Sequence, residues 1–299
     1  MSENTKNMNA AEVAAKYKKK SQTADIFRRL AKNKTAMIGL IVVILLLILA
    51  LSADLLFDFE TDITKQNISD RLKAPSGDHI FGTDEMGRDI FKRVCYGAKY
   101  SLLISFVAAT ISLAIGLVFG AIAGYYGGWA DMIIMRFMDV LLAIPGTLLA
   151  IAIVASLGTS IPNLIIALSV SGIPGFSRIV RSSVLTVRDA EYIEAAKAIG
   201  ANDRIIIFGH VLPNGMAPLI VQSTLRIASV ILTTAGLSFL GLGVPAPHPE
   251  WGAMLSNARS YIRDYSYMAL FPGLAIMTTI LCLNLLGDGL RDALDPRLK

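Results

Sequence analysis

Six apolar runs, each long enough to cross a bilayer, leave this chain few folds to choose from. They span residues 36–53, about 100–125, about 132–157, 162–179, 216–244 and 267–286. A hydrocarbon layer about 30 Å thick needs about 20 residues of helix, and about 17 at the least. Lipid offers no partners to backbone N–H and C=O groups, so each run must satisfy its own and be helical. The expected fold class is an all-α polytopic membrane protein with six transmembrane helices. Composition agrees, since 54% of the 299 residues are hydrophobic and only 17% charged, which is too apolar for an ordinary soluble domain. The first run follows about 35 hydrophilic residues. It is longer than the apolar part of a signal peptide, so it is expected to stay as a span rather than be cleaved.

Basic residues set the orientation. Residues 16–35 hold eight (Lys16, Lys18, Lys19, Lys20, Arg28, Arg29, Lys32 and Lys34), against three in 54–73 (Lys65, Arg71 and Lys73). Both termini are therefore expected in the cytoplasm, together with the loop at 187–214. The expected organisation is a disordered cytoplasmic tail at 1–22 and an interfacial helix plus first span at 23–56. An extracytoplasmic loop at 57–98, a five-helix core at 99–288 and a cytoplasmic tail at 289–299 complete it. "TADIFRRLAKNK" puts Ile26, Phe27, Leu30 and Ala31 on one face and Arg28, Arg29 and Lys32 on the other. That suits a helix lying on anionic lipid headgroups, or equally a basic stop before a span.

The longest interior polar stretch, Val187–Asn214, reads as two short helices joined by an elbow. Tyr192, Ala195, Ala196 and Ile199 fall at helical spacing, with Glu191, Glu194 and Lys197 opposite. Asp189 is expected to cap the first helix and Gly200 to end it in the left-handed conformation. Asn202 or Asp203 is expected to cap the second, and Pro213 to stop it. By these features alone, the stretch is either an amphipathic loop on the membrane or a knob that docks a partner.

Chemistry is sparse. No phosphate-cradling G-x-x-x-x-G-K-[ST], no H-E-x-x-H and no G-x-S-x-G occurs. His79, His210 and His248 are far apart, so no metal site is expected, and no catalytic residues can be assembled. Basic residues do not alternate with aromatics as a nucleic-acid surface requires. Cys95 and Cys282 give no disulfide framework; Cys282 is expected to pack in the core and Cys95 to be a free thiol.

Polar groups within spans are costly. Arg136 and Asp139 stand at i, i+3 in the third run and are expected to pair. Arg226 lies deep in the fifth run, with Gln222 one turn before it and Thr233 and Thr234 two turns after. An arginine there needs either a wet translocation path or neighbouring carbonyls. Gly116, Gly120 and Gly124 recur every four residues and suit close helix contact. Pro145, Pro174 and Pro272 are expected to interrupt spans.

The loop resembles the EAA loop of ABC importer permeases, with Glu194, Ala195, Ala196 and Gly200 followed by Leu212 and Pro213. Four further stretches resemble the peptide/nickel class, specifically its dipeptide/oligopeptide permease with a long first external loop. They are "FRRLAKNKTAMIGL", "FGTDEMGRDIFKRVCYGAKYSL", "LSFLGLGVPAPHPEWGAML" and "NLLGDGLRDALDPRLK". The second carries Thr83, Asp84, Gly87, Arg88 and Asp89 of the external signature. The chain departs from the class at Thr234, where many members have an acid, and at Lys92 and Lys99, where serine and arginine are usual.

The resemblance implies a type I importer permease core in the bacterial plasma (inner) membrane, with Glu191, Glu194, Ala195, Ala196, Gly200, Leu212 and Pro213 coupling it to ATPases. Implied partners are a second homologous permease, two cytoplasmic ATPases that bind ATP and Mg, and an extracytoplasmic solute-binding protein. The chain itself is then expected to bind no cofactor. Peptides are the implied cargo, with nickel chelates or another small solute as the alternative. A stand-alone secondary carrier and a membrane-embedded enzyme are the readings from other classes.

Overall fold

A computed structural model describes residues 22–294, and side chains from residue 26 onward. The tail expected at 1–22, its lysines, and the last five residues of the closing stretch lie outside that range. Helix α1 (Gln22–Lys32) and α2 (Lys34–Leu56) are separated by Asn33, whose side chain accepts a hydrogen bond from the Ala36 amide at 3.2 Å. Helix α3 (Ile90–Tyr126) is capped by Asp89, which accepts from Lys92 N at 3.0 Å. At 37 residues it outruns the expected second span at its N-terminal end, rising about 55 Å at 1.5 Å per residue.

The third apolar run is not one helix. It forms α4 (Gly128–Ala143) and α5 (Gly146–Leu157), bent by 84°. The cause is local: Pro145 has no N–H to give, and its ring pushes Ile144 into extended backbone at φ −93°, ψ 124°. Among the described residues five single helices are long and apolar enough to cross a membrane, and six spans result when the bent pair counts as one. Pro174 and Pro272, by contrast, lie inside unbroken helices, α6 (Ile161–Val187) and α10 (Tyr267–Leu294). Just before Pro174 the carbonyls of Leu168 and Ser169 accept hydrogen bonds from Arg226 at 2.5 Å and Ser112 at 2.8 Å. These bonds tie α6 to α8 and α3, but the carbonyl that Pro174 leaves without its intrahelical donor is that of Val170, four residues before it.

Helices α3 and α6 form the tightest contact in the bundle, and the three spaced glycines of α3 make it possible. A β-carbon on Gly116 would lie 2.5 Å from Phe176 Cβ, on Gly120 2.5 Å from the Ser177 carbonyl, and on Gly124 2.8 Å from Val184 Cβ. Gly120→Val should therefore destabilise the protein by about 1–3 kcal/mol, because the obstructing atom is backbone and cannot swing away. Gly77→Ala, which meets nothing within 4 Å, should be neutral. Thermal unfolding of both variants in detergent checks the pair.

Helix α8 (Met216–Phe239) and α10 close the bundle around a core that includes Ile227, Ile231, Ile276 and Leu283. Buried Cys282 packs in that core, and Cys95 is a free thiol. Helix α1 and the start of α2 lie against α10, where Leu30 of α1 and Ala36 of α2 pack against Leu286 and Ala293. Phe27 remains exposed.

Candidate functional site

The chain between α6 and α8 folds into a small knob at one end of the bundle. Helix α7 (Glu191–Ala198) starts it, and a nearly continuous helical stretch from Asp203 to Asn214 ends it. Asp189 does not cap α7. Its neighbour Ala190 takes that position without a side-chain bond, and the Asp189 carboxylate pairs with Arg188 at 3.3 Å.

The turn after α7 closes as expected. Gly200 has φ +83°, its N–H reaches the Lys197 carbonyl at 3.0 Å, and Ala201 N–H reaches Ala196 O at 3.1 Å. These two bonds make a Schellman end, which needs a left-handed residue and so favours glycine. Asn202 caps the second helix, accepting from Ile205 N at 2.9 Å. Pro213 does not stop that helix. The turn ahead of it widens over Ile206–Val211, with Leu212 N–H bonding five residues back to Ile207 O, and the break comes at Gly215. Widening moves the preceding carbonyls away from the proline ring.

The knob is anchored through a different face from the apolar stripe. Ile193 and Ala196 turn inward, where they join Ile206, Ile207, Val211 and Leu212 against Ala121, Val180 and Val184 of α3 and α6. Of the expected stripe only Ala196 is buried. Ala195 is exposed, as are Tyr192 at 46% and Ile199 at 86%. Ile205, Phe208, Glu191, Glu194 and Pro213 are also exposed on the same knob. The periodicity was real; it faces outward because Ile193, off the stripe, anchors the helix. An apolar surface of this kind rimmed by charge marks a docking site.

The knob is held to the bundle by polar contacts as well. Tyr125, at the end of α3, donates to Asp203 at 2.8 Å, and the Lys197 ammonium sits 5.4 Å from the Tyr125 ring centre. Arg188 donates to the Gly124 carbonyl at 2.9 Å. Tyr125→Phe removes the tether and leaves the ring. It should lower knob-dependent uptake about tenfold or more, the worth of one hydrogen bond to a charged group being about 1.5 kcal/mol at the low end. Uptake assays at equal protein level read this out.

At the opposite end, the signature residues build a buried lattice. Asp84 accepts from Arg88 N at 2.9 Å and Arg88 Nε at 2.7 Å, and lies 3.5 Å from Arg93 Nε. Thr83 donates to the Asp70 carbonyl and accepts from Lys73 N at 2.8 Å. Gly87 has φ +71°, and a β-carbon there would sit 1.7 Å from the Asn67 carbonyl oxygen. Asp89, besides capping α3, meets His79 at 2.8 Å. Lys92 pairs with Asp62 and Lys99 with Asp54, each at 2.5 Å. The Lys92 ammonium holds the Asp62 carboxyl below the usual carboxylate range. Among the described residues no group of histidine, cysteine and carboxylate is placed to hold a metal.

Glu250, which sequence reasoning missed, is 1% exposed and caps α9 (Trp251–Ala258). Its carboxylate accepts from Gly252 N and Ala253 N, both at 2.8 Å, and from the Ser101 and Ser238 hydroxyls, both at 3.2 Å. Burial pushes its carboxyl up, against the pull of those four donors. The preference of caps for Asp, Asn, Ser and Thr hides a glutamate in this role.

Within the spans the expected Arg136–Asp139 pair does not form. Asp139 pairs with Arg178 of α6 at 2.6 Å, while Arg136 is exposed and has no ion-pair partner among the described residues. A second link between the same helices joins Arg181 to Asp131 through bonds of 2.5 and 2.6 Å. Two arginines one turn apart, the second just past the fourth run, and two acids, the first just before the third run, were the available signal. Arg226 reaches from α8 to the Leu168 carbonyl at 2.5 Å and the Ser171 hydroxyl at 3.0 Å. Its bonding to neighbouring carbonyls is thus observed. Thr234 is buried and donates to Val230 O at 2.9 Å; Thr233, on α8 beside it, is partly exposed. Gln222 lines a cleft of about 480 Å³ between α6, α8 and α10.

Comparison with known proteins follows the same lines. Residues 116–299 match the profile of the "Binding-protein-dependent transport system inner membrane component" family, and residues 21–75 that of the "N-terminal TM domain of oligopeptide transport permease C". The chain is 50% identical, over 95% of its length and 92% of the relative's, to the dipeptide transport system permease protein DppC of Alkalihalophilus pseudofirmus. It is 45% identical to the glutathione transport system permease protein GsiD of Pectobacterium atrosepticum, covering 92% of this chain and 91% of that one. An inward-facing structure of the MetNI methionine ABC transporter superposes with a TM-score of 0.53 at 19% identity, over 66% of this chain and 94% of that one. That likeness concerns the fold.

Proposed function

The chain belongs to the family of binding-protein-dependent transport system inner membrane components, and from that membership we propose that it is the permease subunit of an ATP-driven peptide importer. It is a multi-pass membrane protein and a transport subunit. In this reading the knob faces the cytoplasm and seats in a cleft of a partner ATPase through Tyr192, Glu194, Ala195 and Ile199. The carrying observation is that this apolar, acid-rimmed face is uncovered while Ile193 and Ala196 clamp the same helix to α3 and α6.

A second permease, two ATPases that bind ATP and Mg, and an external solute-binding protein would complete the complex. Closure of the ATPases would draw the knobs together, and the clamps would pass that motion to α3 and α6. The bundle would then open outward, and ATP hydrolysis would reset it. Peptides as cargo are supported by the 50% identity to a dipeptide permease.

Two measurements test this. The chain should co-purify with ATPases and a binding protein, and the complex should take up labelled dialanine in competition with other dipeptides and not with nickel chelates. Competition by nickel chelates alone would shift the cargo. Uptake that survives loss of the ATPases but collapses with the ion gradient would make the protein a secondary carrier.

A further inference from the structure

The Arg178–Asp139 pair is unlike its neighbour. Arg181 and Asp131 are joined by two hydrogen bonds and are 35% and 22% exposed, whereas Arg178 and Asp139 share one bond of 2.6 Å and are 52% and 45% exposed. Arg178 lies nine residues before the end of α6, and Asp139 eleven residues after the start of α4. At 1.5 Å per residue these lie about 14 and about 16 Å along their helices from the knob end, within segments that pass for membrane spans by length and composition. Half-exposed charges on membrane-crossing helices favour water or another polypeptide over lipid.

On the α6 side of the pair the face favours water, whereas on α4 Phe137, Val140 and Leu142 are exposed near Asp139. Ser171, Gly175, Arg178 and Ser182 follow one another at i, i+4, i+7 and i+11 on α6, each partly or fully uncovered. A β-carbon on Gly175 would meet nothing within 4 Å. No large apolar side chain belongs to this stripe, as one facing lipid or packed in an interface core would require.

We infer that Arg178 and Asp139 are a binding point for the charged ends of the transported peptide. The guanidinium takes the C-terminal carboxylate and the Asp139 carboxylate takes the N-terminal ammonium. This rests on the peptide reading above. A zwitterion entering between the two replaces one ion pair with two, so opening the pair leaves neither charge bare. The planar guanidinium fork matches a carboxylate with two parallel hydrogen bonds. With no peptide present, the pair neutralises itself.

The test uses the complete complex with its binding protein and ATPases. With p-benzoylphenylalanine in place of Ser182, one turn from Arg178, light should transfer label from radioactive dialanine to this chain, and excess unlabelled dialanine should suppress the transfer. Cross-linking only to the second permease or to lipid, in a complex that still imports dialanine, would overturn the inference. Failure of the unmodified complex to import dialanine would instead remove the peptide reading itself.

In parallel, Arg178→Gln and Asp139→Asn should each reduce dialanine uptake about tenfold or more, with a raised KM. The double exchange Arg178→Asp with Asp139→Arg rebuilds an ion pair with the charges transposed. Full recovery of uptake would show a purely structural pair and overturn the inference; continued loss supports it.

Discussion

Glu194→Lys and Gly200→Val will each leave the chain in the membrane and reduce uptake to background. Glu194 is exposed on α7, beside the uncovered stripe of Tyr192, Ala195 and Ile199. The bundle does not use its charge, so reversal should spare folding. A basic rim on the docking partner would meet lysine instead of carboxylate, and like charges brought together at an interface cost several kcal/mol. Gly200 acts through the backbone. Its φ of +83° is a conformation that a β-branched side chain strongly resists, at a cost of about 1–2 kcal/mol or more. Relief comes by unwinding the Schellman turn, which re-aims α7 while Ile193 stays seated. Membrane-fraction abundance should match the parent in both variants, while uptake and ATPase stimulation by the loaded binding protein fall at least about tenfold. Normal transport by both would remove the knob from the mechanism.

Glu250→Ala should produce the largest loss of stability of any single truncation considered. It strands the amides of Gly252 and Ala253 and the hydroxyls of Ser101 and Ser238 in a buried site. Each buried donor left unsatisfied costs about 1–3 kcal/mol, and the hydroxyls can turn elsewhere, so about 2–5 kcal/mol is expected from the two amides. Glu250 also ties α9 to α3 and α8, a junction where the Trp251 indole donates to the Val94 carbonyl at 2.8 Å. Glu250→Gln keeps one acceptor oxygen and turns a donor toward the other amide, so its loss should be about half as large. Thermal unfolding of the two variants in the same detergent measures the order, and equal stability of Glu250→Ala and the parent would refute the cap.

Much of this architecture was legible because lipid leaves the backbone so little choice. Apolar length alone placed five of the spans, and the glycines of α3 announced the close contact with α6. Gly200 and Asn202 were readable because each meets a local need that few residue types satisfy. What escaped was longer in range. Pro145 broke its helix and Pro174 did not, and the residue type reads the same in both runs. The choice of Arg178 over Arg136 as partner of Asp139 depends on how α4 lies against α6, which spacing within one helix cannot report. The stripe on α7 was legible, but Ile193, which anchors the helix from outside the stripe, carried no signal of its own.

The most direct test of the coupling role is where Ile199 lies in the assembled complex. In a background with Cys95 and Cys282 replaced by serine, Ile199→Cys should form a cross-link to the ATPase subunit and resist membrane-impermeant thiol reagents added outside intact cells. Labelling of that cysteine from outside, with no ATPase adduct, would contradict the account.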